Sequence, residues 1–258
     1  MTDLRPRRLL LTAAELAVLA AAALPDGAAL PPGFDLDGAG AGEARPVEDA
    51  EAALTARGLL DGTVAHPALA ADLRRLAAPE VLVLVEASCP GLDVTAAVAV
   101  EGPLGAALLR TGGGSVQLSA FSAASLADEL GRVVPARTAA PVAGTTAEAP
   151  QVLPLADLAE PPAGSLAEAV ARRWGGSLRA TVLGQPATPG GAVPASFVDW
   201  VWLTDPTGGR WAALEPAGPD PLSGLPQVAV RAVEPAELGP AVAPAAALLL
   251  ADRRGASG

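Results

Sequence analysis

The 258-residue chain carries 17 basic and 28 acidic residues, a formal net charge of −11 at pH 7, and 51% of its residues are apolar. It has one His, one Cys and no Lys, Asn, Ile or Tyr, which excludes lysine chemistry such as a Schiff base or a phosphate-binding loop lysine. The arginines are scattered singly or in pairs, so the sequence disfavours nucleic-acid binding. A single Cys cannot form an internal disulfide, which suits a reducing compartment.

The N-terminus carries two competing patterns. A paired-arginine motif at residues 5–8 precedes an apolar run, as in a twin-arginine secretory signal. Thr12 and Glu15, however, have the spacing of a helix capping box. We therefore predict a strand over residues 8–11 and a helix over Ala13–Ala23. An exported protein with a twin-arginine-like signal is kept as an alternative.

The remainder of the first half predicts helices followed by an antiparallel meander. After a Gly- and Pro-rich loop, helices are predicted at 47–57 and 67–77, the second beginning at His66. Strands joined by short turns follow, and a helix capped by Ser122 or Ser125 closes the unit. The predicted strands cover residues 81–86, 94–101, 106–110 and 115–120.

The second half repeats this order. A helix is predicted at 166–174, then four strands, then a helical C-terminus interrupted by Pro240 and Pro244 and ending in a solvated tail. We therefore predict an α+β fold with two pseudo-symmetric halves, in which helices pack on one face of antiparallel hairpin sheets. The halves cover residues 1–134 and 165–258 of one integrated domain, and the Pro-rich stretch 135–164 is predicted to be a linker or crossover.

Three of the four tryptophans lie in one predicted hairpin. Strict alternation over Phe197–Thr204 predicts a strand, and a Pro- and Gly-containing turn returns the chain. Each aromatic side chain buries about 150–250 Å², so Trp200, Trp202 and Trp211 are expected to dominate the core of this half. A partner-facing aromatic surface is the alternative.

Candidate catalytic chemistry is sparse. Cys89 and His66 are the one pair able to form a thiol nucleophile and its base, but a turn and a helix N-cap explain them better. Asp199 and Asp205 could form a carboxylate pair near the tryptophan hairpin. With one His and one Cys there is little to ligate a metal. We predict no enzyme, cofactor or metal site, with a Cys89/His66 hydrolase as an alternative.

Three stretches resemble the EspG family, the cytosolic chaperones of actinobacterial type VII (ESX) secretion. The first, LLLTAAELAVL at residues 9–19, is similar to the family's opening strand and helix. The second, at residues 53–80, has a helix ending in Gly-Leu, an acidic turn, and a helix ending in Leu-Ala-x-Pro. The third is WVWLTDPTGGRW at residues 200–211, similar to a late hairpin of the family.

The resemblance implies a cytoplasmic chaperone that binds a helical secretion substrate, either PE/PPE-like or WXG-like, and delivers it to the secretion machinery. It also implies a mixed fold with a quasi-two-fold axis. The substrate-gripping loop of the family would correspond to a shorter loop at residues 88–93. The predicted partner-binding residues are Ser88, Cys89, Pro90, Gly91, Leu92, Asp93, Trp200 and Trp202.

Overall fold

The computed structural model describes residues 7–34, 44–89, 91–112, 114–134, 151–160, 163, 175–184, 197–204 and 211–256. The strands are β1 (Arg7–Thr12), β2 (Leu60–Asp61), β3 (Val64–Ala65), β4 (Val81–Cys89), β5 (Leu92–Glu101), β6 (Leu104–Thr111), β7 (Ser115–Ser122), β8 (Gln151–Pro154), β9 (Gly176–Gly184), β10 (Phe197–Thr204), β11 (Trp211–Ala217) and β12 (Gln227–Val233). The helices are α1 (Ala13–Ala23), α2 (Ala44–Ala56), α3 (Pro67–Ala77), α4 (Leu126–Val133), α5 (Leu155–Ala159) and α6 (Leu238–Ala256).

Ten strands form one antiparallel sheet in the order β1-β7-β6-β5-β4-β9-β10-β11-β12-β8, while β2 and β3 pair separately. The central strands β4 and β9 place Val83 opposite Val182. Outward from this pair, each half is a meander whose last strand pairs with a strand from earlier in the chain: β7 with β1, and β12 with β8. The α+β fold class with two pseudo-symmetric halves is therefore confirmed.

Helices cover both faces of the sheet, whereas one covered face was predicted. Val81, Val83 and Val85 of β4 face a core that includes α4 and α6. Leu82 and Leu84, which alternate with them, face a second core that includes α1 and α3. Successive strand residues point to opposite faces, so the two cores lie on opposite sides of the sheet. The near-continuous apolar run in β4 reflects this double burial.

The N-terminal elements follow the predicted local signals closely. Thr12 accepts a hydrogen bond from the Glu15 N–H, and the Glu15 carboxylate accepts one from the Thr12 N–H, which completes the capping box of α1. His66 caps α3 with Pro67 in its first turn. β4 and β5 extend beyond the strands predicted at 81–86 and 94–101 and pair Cys89 with Leu92.

Two predicted regions need correction. Within the stretch assigned to a linker, Gln151–Pro154 forms β8, because these residues pair with β12. Leu155–Ala159 then forms the short helix α5. The C-terminal helix is not interrupted: α6 runs through Pro244 to Ala256, where a solvated tail was expected. The predicted helix at 166–174 and the hairpin turn at 205–210 lie outside the described residues.

The paired arginines of the N-terminus hold β1 between the two helical layers. Arg7 forms an ion pair with Asp72 of α3, and the Arg8 guanidinium lies 3.0 Å from the Glu129 carboxylate of α4. Neighbouring strand residues point to opposite faces, so each arginine anchors the helix on its own side. β1 and α1 also contribute Leu11, Leu16 and Leu19 to the core. Arg7 and Arg8, the described part of the paired-arginine motif, thus connect β1 to the helices on both sides of the sheet.

Candidate functional site

The predicted partner loop at 88–93 is the tight tip of the β4–β5 hairpin. Cys89 and Leu92 are its last paired residues, so only residues 90 and 91 lie between the strands. Gly91 has a φ of 79°, which favours glycine over side-chain-bearing residues. Pro90 lies outside the described residues. The tip is therefore short and adds little beyond the paired ends of β4 and β5.

The surface of this tip combines exposed polar groups with a partly exposed Leu92. The Ser88 hydroxyl donates a 2.9 Å hydrogen bond to the carboxylate of Asp93, and both residues are exposed. The backbone beneath is closely packed: a Cβ on Gly176 would overlap the Ser88 carbonyl oxygen and lie 2.8 Å from the Thr204 methyl group. The tip is therefore held against β9 and β10.

Cys89 and His66 are not brought into a catalytic arrangement. Burial raises the pKa of the Cys89 thiol, and the nearby Asp93 carboxylate raises it further, so the unreactive thiol form is favoured. His66 uses Nδ1 to accept a hydrogen bond from the Ala68 N–H at the start of α3. Both residues have the structural roles that the sequence offered as the alternative to a dyad.

The tryptophan strand belongs to the core. Trp202 is 2% exposed and Trp211 is 1% exposed, and their ring centroids lie 6.3 Å apart at 54°. Trp200 is half-buried and packs against the same core. Trp202 is therefore removed from the predicted partner surface, because its side chain is buried in the core that also contains Trp211. The side chain of Asp199 and all of Asp205 lie outside the described positions.

An apolar surface that the sequence interpretation missed runs along α6. Leu238, Val242 and Ala246 are buried against the sheet, as expected for one face of a helix. The opposite face is exposed, and Leu248 on it is 67% exposed. The exposed residues of this face, called here the α6 surface, are Pro240, Ala241, Pro244, Ala247, Leu248 and Ala251.

The spacing of the α6 surface is typical of a helix that packs against another helix. Ala241, Pro244, Leu248 and Ala251 recur at intervals of three, four and three residues, which is the seam of a coiled coil. No charged residue occurs between Glu237 and Asp252. A helix that is apolar on all sides normally has both faces covered. The uncharged run was visible in the sequence, but the expected interruptions at Pro240 and Pro244 concealed it.

One described cleft and the placement of potential metal ligands bear on small-molecule and metal binding. A cleft of about 140 Å³ lies between β7 and α4, with Arg8, Glu129 and Arg132 in its lining. Pockets for small molecules generally measure about 300–1,000 Å³. Within the described part of the chain, no three His, Cys, Asp or Glu residues cluster as metal ligands. The described helices include none long and apolar enough to cross a bilayer.

Comparison with known proteins agrees with the fold. The model of the EspG family matches residues 12–199, which is well over half of the chain. The matched region extends from the start of α1 through both central strands and into β10. No individual protein of known function matched the chain. The match covers the first half and continues into the second, and on this basis the chain belongs to the EspG family.

Proposed function

We propose that this protein is a cytoplasmic, non-enzymatic chaperone that binds a helical ESX secretion substrate, PE/PPE-like or WXG-like, and keeps it soluble for delivery. Family membership supports the chaperone role. The α6 surface is the observation that carries the proposal, because it presents an exposed apolar stripe with helical spacing. Clients of this kind expose apolar helical faces that need cover, and a helix in contact with another apolar helix removes both surfaces from water.

The β4–β5 tip provides a second contact region in this proposal. Leu92 supplies an apolar group, while Ser88 and Asp93 supply polar groups able to bond a helix terminus or a side chain. Trp200 is only half-buried, so part of its ring is available beside the core. We assign the main binding energy to the α6 surface, because buried apolar area dominates such contacts, and assign orientation to the tip.

The test is co-expression with PE/PPE pairs and with WXG-like proteins encoded near the gene, followed by gel filtration. The wild-type protein is expected to elute as a complex with one of these clients. Leu248→Glu is expected to abolish the complex, because it places a charge in the centre of the apolar stripe. Leu222→Glu is the matched control: Leu222 is 97% exposed on the loop between β11 and β12, and its substitution should leave the complex intact.

Three results would count against the proposal. The first is failure of every neighbouring PE/PPE-like or WXG-like protein to form a complex with the wild type. The second is a complex that survives Leu248→Glu while the variant keeps its thermal midpoint. The third is a hydrolytic activity of the wild type that the Cys89→Ala, His66→Ala double variant loses at unchanged stability, since the proposed chaperone is not an enzyme.

A further inference from the structure

The sheet ends at β1, where one edge of the strand faces away from its partner. In the described part of the chain, β1 pairs with β7 alone. Backbone groups along a strand alternate between its two edges. The Leu10 carbonyl and the Thr12 N–H bond to groups other than β7, so both belong to the outer edge. Leu10 is also 65% exposed. An exposed edge with an apolar side chain is a template for addition of another strand.

Side chains of the same molecule already occupy this outer edge. The Arg57 guanidinium donates a 3.0 Å hydrogen bond to the Leu10 carbonyl. Its other terminal nitrogen lies 2.9 Å from a carboxylate oxygen of Glu15, whose second oxygen accepts a 2.7 Å hydrogen bond from the Thr12 N–H. Arg57 and Glu15 therefore cap two successive outward-facing residues of β1. Arg57 directly follows α2, and apart from these two contacts its side chain is exposed to solvent.

We propose that Arg57 closes the outer edge of β1 to strand addition by a second copy of this chain. The occupant follows from the sequence of the strand, which is self-complementary in an antiparallel register centred on Leu10. That register pairs Leu10 with Leu10, Leu9 with Leu11, and Arg8 with Thr12, so no like charges face each other. Pairing of two copies would also join their sheets edge to edge.

Removal of the Arg57 guanidinium frees the backbone carbonyl that pairing of two β1 strands requires. A Leu10–Leu10 pair exchanges two N–H to C=O bonds, and both need the carbonyl that Arg57 now occupies. The opposite sheet edge is protected differently: β8 has four residues and ends at Pro154, which lacks an N–H. β1 has six residues and contains no proline. Protection of this edge therefore depends on the side chains that occupy its backbone groups.

The experiment measures the mass of the full chain by sedimentation over a wide concentration range. Arg57→Met keeps the apolar stem and removes the donors, and it is expected to associate to twice the wild-type mass as concentration rises. Arg74→Met is the matched control: the Arg74 side chain also donates to a backbone carbonyl, that of Ala23 at the end of α1, away from the sheet edge. This variant should keep the wild-type mass.

A second substitution shows whether the association uses β1. Leu10→Pro removes an outward-facing N–H, costs no bond to β7, and should return Arg57→Met to the wild-type mass. A folded Arg57→Met variant that keeps the wild-type mass at every concentration overturns the proposal. Association that persists in the Leu10→Pro, Arg57→Met double variant overturns it as well. If Arg57→Met does not fold, Arg57→Leu, which also lacks side-chain donors, is measured in the same way and against the same outcomes.

Discussion

The two halves of the molecule place a helix at the same point of the fold but give it different surfaces. α4 and α6 each follow the last strand of their meander after a three-residue 3-10 turn, Ala123–Ser125 or Pro235–Glu237. Leu126 and Leu130 of α4 are buried, as are Leu238 and Val242 at the corresponding positions of α6. Both helices therefore meet the sheet in the same way.

Their outer faces differ in charge. α4 exposes Asp128 and Arg132, whereas the corresponding positions of α6 expose Pro240 and Pro244. Chain topology and core packing constrain the two helices alike, so neither explains the loss of charge from α6. A solvent-exposed helix face is normally polar, whereas the α6 surface is apolar. The client proposed above would account for this difference by covering the surface. The comparison thus separates the buried stripe, which the fold requires, from the exposed apolar stripe, which the proposed binding of a client would require.

The largest effect is expected where the two helices touch. A Cβ added to Gly239 of α6 would overlap the Ala127 carbonyl oxygen of α4 and lie 2.6 Å from its carbonyl carbon. The obstruction is backbone, so the helices must separate, and Gly239→Ala should lower the free energy of unfolding by about 3 kcal/mol. Chemical denaturation with two optical probes measures this loss.

Gly131 is the matched control in the other helix. Its added Cβ would lie 3.8 Å from the Cα of Ala236, an ordinary contact. Because Ala is favoured over Gly inside a helix, Gly131→Ala should raise the free energy of unfolding by about 0.5–1 kcal/mol. Equal effects of the two substitutions would show that α4 and α6 do not meet at Gly239.

The second expected effect concerns the proline inside α6. Pro244 has no N–H to donate to the carbonyl four residues earlier, and Pro in a helix interior is less favourable than Ala by about 3 kcal/mol. Pro also restricts the unfolded chain, and the loss of that restriction offsets part of the stabilisation. Pro244→Ala should therefore raise the free energy of unfolding by about 2 kcal/mol. Thermal unfolding measures the change.

Pro240 provides the comparison within the same helix. It lies in the first turn of α6, where backbone N–H groups have no intrahelical acceptor, so its missing donor costs nothing. Pro240→Ala should therefore be neutral or lower the stability by less than about 1 kcal/mol. Stabilisation of similar size by both substitutions would show that α6 is not continuous through Pro244.

Local signals in the sequence predicted much of this fold. The capping box of Thr12 and Glu15 located α1, and turns containing glycine separated the strands of the first meander. The turn at Cys89 was also located, between the strands predicted at 81–86 and 94–101. These features depend on residues close together in the chain, so a single sequence contains them.

The remainder depends on contacts between distant residues. β8 has only four residues and exists because β12 pairs with it, so no local pattern marked it. The α6 surface could not be recognised until the sheet showed which side of the helix is buried. The pair Arg8 and Glu129 is separated by 121 positions in the sequence, so the predicted strand at residues 8–11 gave no sign of this contact.

The smallest expected signal is a pH dependence of stability that arises from Glu129 of α4 and has no counterpart at the same position of α6. Burial raises the pKa of the Glu129 carboxyl above its usual 4.5, Arg8 opposes this rise, and Asp128 adds to it. The corresponding residue of α6, Ala241, has no titratable group. A raised folded-state pKa means that the native protein binds the proton more tightly than the unfolded chain does.

The contribution of Glu129 to stability is therefore fully present below pH 4.5 and is lost as the pH rises through the folded-state pKa. The wild type should lose stability relative to Glu129→Gln when denaturation is measured at pH 4.5 and then at pH 7. Asp220→Asn should reveal the opposite pH dependence of stability. Backbone N–H groups of Ser223 and Leu222 lower the Asp220 pKa below 3.8. The stability that the Asp220 carboxylate contributes is therefore lost as the pH falls through that lowered value. A wild-type advantage over Glu129→Gln that grows towards neutral pH would mean that Arg8 outweighs the burial of Glu129.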